Sequence, residues 1–334
     1  MNPPLPRRVV LLAGFGALGG TLIGCDAKAP VGPTTTPEPS PTQPPVFAGG
    51  AAAARLEEQL SLQARSLLTS GGDDLGRPLT AILTAAAGGH QLHLAALAAP
   101  EPTGRPTSGG SPRPTPKPTK AALPADLKEF AAAEAAAAGA HAERAVTAES
   151  VTALFWASLA AAADGYGQAV RQQGGSTKGA GPAKAPKPGP HRPVEPVEPE
   201  QARRAMVDQL HAVTYGYQMA IGHLAEDRFE RAATALREHR GLRDRLIADL
   251  VEASADVPPA APAYDVPVRP TDPASATKLI MTMETALLPF CGQWVAAAES
   301  GEERELAVAT LRATTVSAVG WGGPLLSWPG YVEP

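Results

Sequence analysis

The chain has 334 residues, a formal net charge of −4 and a hydrophobic fraction of 44%, of which only 4% of the chain is aromatic and much is alanine. That balance, with no strongly basic run, argues against a general nucleic-acid binder, and two cysteines exclude a disulfide scaffold. Of the 36 prolines, 22 fall in three short segments, 26–48, 100–124 and 182–199. What remains is two apolar stretches, each near the size of a small domain.

The first 25 residues have the parts of an export peptide in order. Arg7 and Arg8 give a basic start, Val9 to Ile23 is an apolar run too short to cross a bilayer comfortably, and Leu22-Ile23-Gly24-Cys25 closes it. Leu-Ile-Gly-Cys resembles a bacterial lipobox, which implies lipidation of Cys25 and cleavage before it. The expected address is therefore the outer face of the bacterial cytoplasmic membrane, with the membrane itself as a partner through the lipid. The paired arginines suit general secretion or twin-arginine export. Residues 26–50 read as a disordered Pro/Thr tether.

Residues 51–172 predict four helices, at about 51–69, 76–98, 126–147 and 149–171, with a Pro-rich, mildly basic loop at 100–124. Leu56, Leu60 and Leu67 mark the inward stripe of the first, and Leu79, Leu83, His90, Leu94 and Leu97 that of the second. Phe130, Glu134, Ala137 and His141 mark the third; Val151, Phe155, Leu159, Ala162 and Tyr166 mark the fourth. Residues 173–200, ending in Glu195-Pro196-Val197-Glu198-Pro199-Glu200, read as a disordered linker. Four more helices follow within 201–332, at about 201–225, 227–254, 273–299 and 302–319, with an extended link from Pro258 to Pro273 between the second and third. A long central crossover of that kind suits a ferritin-like bundle. No alternating strand pattern of useful length is present, so the fold class is all-α.

Several pieces of the second half resemble an uncharacterised ferritin-like family of exported proteins from high-GC Gram-positive bacteria. They are His211-Ala212-Val213-Thr214-Tyr215-Gly216-Tyr217, His239-Arg240 with Arg243-Asp244, Pro258 through Tyr264, Glu284, and Trp328-Pro329-Gly330-Tyr331. The resemblance implies a fold and an exported address more than an activity. Members tend to have a glutamate just before the first histidine, where this chain has Leu210.

A dinuclear carboxylate site needs a Glu from each of two helices and Glu-x-x-His from each of the other two, and no Glu-x-x-His occurs here. On the predicted stripe Phe229, Ala232, Leu236, His239, Arg243, Ile247 and Leu250, the arginine lies near the centre, facing a stripe that holds Glu284. The expectation is a buried polar cluster of His239, Arg243 and Glu284, in which the guanidinium pairs with the carboxylate. The last helix, with Leu306, Ala309, Thr310, Ala313 and Val316 read as inward, offers no ligand. In the first half, Glu57, His90, Glu134 and His141 lie on or near inward stripes, with His93 at a stripe edge. Those four can form a site for Fe, Mn or Zn, or a purely structural polar cluster. Cys291 reads as a packed core thiol, Trp321, Trp328 and Tyr331 as a cap on the bundle, and no catalytic set is evident. The sequence reading is a non-catalytic binding or scaffold module of the cell envelope, with no cofactor, serving an envelope protein partner or a small-molecule ligand. The alternative is a metal-binding oxidase or carrier that uses the first-half His/Glu set.

Overall fold

The structure is a computed structural model that describes residues 48–99, 123–174 and 194–332. The leader with Arg7, Arg8 and the Leu22–Cys25 motif lies outside the described residues, as do nearly all of the tether and of the 100–124 loop, and residues 175–193 of the linker; against the expectation of disorder up to residue 200, Val194 is buried in the core and Pro199 and Glu200 are already helical.

Eight α-helices are described: α1 (Gly50–Gly71), α2 (Gly76–Leu97), α3 (Leu123–Thr147), α4 (Ser150–Gly174), α5 (Pro199–Ile221), α6 (Glu226–Glu252), α7 (Pro273–Ala297) and α8 (Gly301–Gly320). A 3₁₀ turn, Gly72–Leu75, joins the first two. The fold is all-α, as the 3.6-residue periodicity implies. The starts follow local chemistry. Asp272 accepts from the amides of Ala274 and Ser275 in a capping box ahead of α7, with Pro273 at its first position, and the Ser300 hydroxyl accepts from the Glu303 amide ahead of α8.

Helix α4 decides the architecture. Every residue from Ala153 to Ala163 is buried, on all sides of the helix, and a helix apolar all round belongs at the centre of a fold. It packs against α2 and α3 on one side and against α7 and α8 on the other. One continuous core therefore runs from Ala53 and Ala142 through α4 to Leu210, Leu287, Trp294 and Tyr331, and the described residues form a single compact unit. The alanines of α4 gave the sequence a single stripe; their burial on the remaining faces follows only once a second layer of helices lies against them.

Two other helices are turned relative to the sequence reading. On α8 the buried residues are Arg304, Ala307, Val308, Leu311, Thr314, Thr315, Ala318 and Val319, while Ala309 and Ala313 are exposed. Small alanines and threonines around the whole helix leave its apolar stripe ill-defined, and packing against both α4 and α7 selected the other face. On α6 only Ala232, Leu236, Leu246 and Leu250 are buried, and Phe229 is 41% exposed. This helix rests mainly on α5, so its covered face is narrow.

Beyond α8 the chain crosses back onto the first four helices. Leu325 joins the core formed by α1, α2, α3 and α4, Trp328 packs edge-on to His93 with centroids 4.9 Å apart, and Gly330 lies against Gly292 of α7. A Cβ at Gly292 would meet the Gly330 carbonyl oxygen at 2.0 Å, so only glycine permits that backbone approach. Trp328 thus closes over the first four helices, whereas Trp321 lies beneath the Arg231 guanidinium of α6.

Candidate functional site

Four helices each turn a polar or ionisable side chain toward one point in the first half. Glu57 from α1, His90 and His93 from α2 and Glu134 and His141 from α3 are all 0% exposed, and Tyr166 of α4 packs its ring 5.4 Å from that of His90. His90 and His93 stand one helical turn apart, so both reach the same side of α2. Gly89 makes room: a Cβ there would meet the Tyr166 hydroxyl at 1.9 Å.

Glu57 is the hub. Its Oε2 accepts from Nδ1 of His90 at 2.7 Å and from Nδ1 of His93 at 2.8 Å, and its Oε1 accepts from Nε2 of His141 at 2.7 Å. The outer nitrogens are also held: Nε2 of His90 by Glu134 Oε1 at 2.8 Å, and Nε2 of His93 by the Ser327 carbonyl at 2.7 Å. Nδ1 of His141 faces Arg144 at 3.4 Å, and its ring stacks on Trp156. The second oxygen of Glu134 is buried with no hydrogen-bond partner.

The charges follow from these contacts. Burial alone would raise the Glu57 carboxyl, but the charges of His93 and His90 and the bonds from His141 and His90 outweigh it and hold the group well below the usual carboxylate range. Burial pulls His90 down, yet the Glu134 and Glu57 carboxylates on either side lift it to about 10. Glu134 is pushed up by burial, and His141 is pushed down by burial. Because both nitrogens of His90, and both of His93, face acceptor oxygens, each Nδ1 contact with Glu57 requires a proton between the two atoms or a cation in its place.

The structure therefore brings together all four first-half residues read from the sequence. It adds His93, at the edge of its predicted stripe, and the main-chain carbonyl of Ser327. The His90-Gln91-Leu92-His93 spacing was a readable signal for the former; nothing in residue type marks the latter. Glu57, His90 and His93 offer ligand atoms within 4.8 Å of one another, a set able to hold a metal ion.

The second-half expectation needs correction. Glu284 of α7 is fully buried, and its Oε1 accepts from His239 at 3.1 Å, from the Ser317 hydroxyl at 2.8 Å and from the Tyr217 hydroxyl. Arg243 does not pair with it. That guanidinium binds Asp244 at 2.7 Å and lines a separate pocket with His211, Tyr215, Arg240 and Tyr264. The narrow covered face of α6 leaves Arg243 at its edge, where its charge stays partly hydrated. Tyr217 and Ser317 had been missed; α8 does supply a polar partner. Cys291 is the buried core thiol expected, with burial pushing it up to about 12.

Residues 202–333 match the family model for a domain of unknown function, DUF4439. The chain is also similar to a conserved hypothetical protein, rv2844, from Mycobacterium tuberculosis, whose crystal structure is known. The two are 27% identical over 37% of this chain and 94% of that one, with a TM-score of 0.36. No curated protein matches. Among the described residues, no helix is long and apolar enough to cross a membrane.

Proposed function

We propose that this protein binds one divalent transition-metal ion, iron, manganese or zinc, at Glu57, His90 and His93. The observation that carries this reading is that two histidines direct Nδ1 at the same oxygen of a buried glutamate, while Ser327 and Glu134 anchor their far nitrogens. Metal-bound histidines are oriented in this way, the second ring N–H donating to a carbonyl or a carboxylate. Two histidines with one carboxylate suit zinc, manganese or non-haem iron. A divalent ion seated there replaces two protons and leaves the buried charge unchanged, so the low-dielectric site accepts it without a new electrostatic cost. His141 positions Glu57 through Oε1, and Glu134 positions His90. The chain segment after α8 seals the site.

The same proposal places the protein in the cell envelope, anchored by lipid at Cys25, with Arg7, Arg8 and Leu22–Gly24 as the export signal. The ferritin-like reading of α5–α8 belongs to it also, supported by the crossover between α6 and α7. The complete hydrogen bonding of Glu57 favours a second reading, in which the cluster is a metal-free structural device in a scaffold module. Elemental analysis of the full chain, purified after expression with its own export signal, decides between them. One metal per chain, lost in His90→Gln and in His93→Gln, is the expected result; metal-free wild-type protein that also takes up no iron, manganese or zinc refutes the proposal. Detergent-phase partition abolished by Cys25→Ser checks the anchor.

A further inference from the structure

Glu284 poses a separate problem. Three donors, from α5, α6 and α8, converge on its Oε1. Its Oε2 is buried and has no hydrogen-bond partner, an arrangement that costs stability unless something occupies it. The nearby cation Arg231 does not serve: it lies 4.0 Å over the Trp321 ring and donates to the Gly320 carbonyl at 2.9 Å.

The same carboxylate lines a cavity of about 470 Å³. The cavity exists because α6 rests mainly on α5 and barely touches α8, leaving the space between α6 and α8 open. His239, Glu284 and Ser317 are among its polar groups, and Leu242, Leu306 and Ala313 form part of its apolar walls. Glu238 and Arg245 also line it, and Arg245 is already held by Glu302 at 3.0 Å. A volume of this size, mostly apolar with a few convergent polar groups, is that of a small-molecule site.

We propose that the α6–α8 cleft binds a small amphiphilic cation, an organic ammonium compound whose head meets Glu284 Oε2 and whose apolar body fills the groove between Leu242, Leu306 and Ala313. A bare metal ion fits less well, since one carboxylate oxygen and one histidine fall short of the three or four protein ligands such ions take. Apolar walls also serve no purpose for it.

The test uses the full chain and calorimetric titration with n-hexylammonium, 1-hexanol and hexanoate. Hexylammonium should bind at least about tenfold more tightly than either control, the margin of one charge-assisted hydrogen bond. Glu284→Gln should reduce the amine to the level of the alcohol. Ala313→Phe, which fills the groove and leaves the carboxylate in place, should abolish binding of both, and it carries the test should Glu284→Gln fail to fold. Glu57→Gln should bind the amine as the wild type does, so that loss of the metal reading and loss of this one are separable. Equal binding of amine and alcohol by the wild type, no binding of the amine, or undiminished amine binding by a folded Glu284→Gln or Ala313→Phe variant would overturn the proposal.

Discussion

Two substitutions at Glu57 separate its role as a metal ligand from its role in holding three helices together. Glu57→Ala removes the acceptor for three ring nitrogens, from His90, His93 and His141, and leaves a cavity where the carboxylate stood. Breaking a buried ion pair by deleting one partner costs about 3–5 kcal/mol, which for a unit of this size lowers Tm by roughly 6–20 °C. Glu57→Gln has a different outcome. The amide oxygen can still accept from His141, and the two amide hydrogens can serve the Nδ1 atoms of His90 and His93, whose Nε2 hydrogens remain on Glu134 and Ser327. Every contact is satisfied with neutral rings, so the metal-free variant should lie within about 1 kcal/mol of the metal-free wild type. Its response to metal should vanish, because an amide is a poor ligand and the anionic charge is gone. At about 1,000 times Kd, metal should raise wild-type stability by about 4 kcal/mol, or roughly 8–16 °C. Thermal melts of chelator-treated protein, with and without zinc, manganese or iron(II), read both effects. The reasoning fails if Glu57→Gln keeps the full metal-induced shift, or if Glu57→Ala melts within a degree or two of wild type.

Other measurements address neighbouring claims. His90 has its pKa lifted from 6.5 to about 10, so the stability it contributes is complete below pH 6.5 and is lost as pH rises through 10. The urea midpoint of metal-free protein should decline across that window, and less steeply in His90→Gln; a flat wild-type profile refutes the assignment. Gly292→Ala drives a Cβ into the Gly330 carbonyl and should cost about 1–3 kcal/mol or more. If the displaced segment takes Ser327 away from His93, metal affinity should fall about 10–100-fold as well; unchanged denaturation midpoints would show that the contact relaxes freely. Cys291 is fully buried with its thiol pushed up to about 12, so peptide mapping should find it unlabelled by an alkylating reagent in native protein and labelled in urea. Labelling at equal rates in both states contradicts its place in the core.

The two polar clusters were legible to different degrees. Glu57, His90, Glu134 and His141 could be read as candidates because each falls on the stripe defined by its own helix, where a charged residue among alanines and leucines stands out. His93 was harder, since at the edge of a stripe its fate depends on what lies beside α2, and here that neighbour is Trp328 from the far end of the chain. Arg243 failed for the converse reason: it lay mid-stripe in sequence, but α6 rests mainly on one helix and the stripe it covers is narrower than the pattern suggests.

Local chemistry in the sequence determined the eight described helices, their starts at Asp272 and Ser300 and the all-α class, because periodicity and capping depend only on residues a few positions apart. Only the tertiary structure decided that α4 is shared by both halves, that three histidines meet on one carboxylate, and that Glu284 recruits Tyr217, His239 and Ser317 instead of Arg243. Those outcomes depend on which helices lie side by side and on main-chain acceptors such as Ser327, and a backbone carbonyl is the same in every residue, so no residue type announces it.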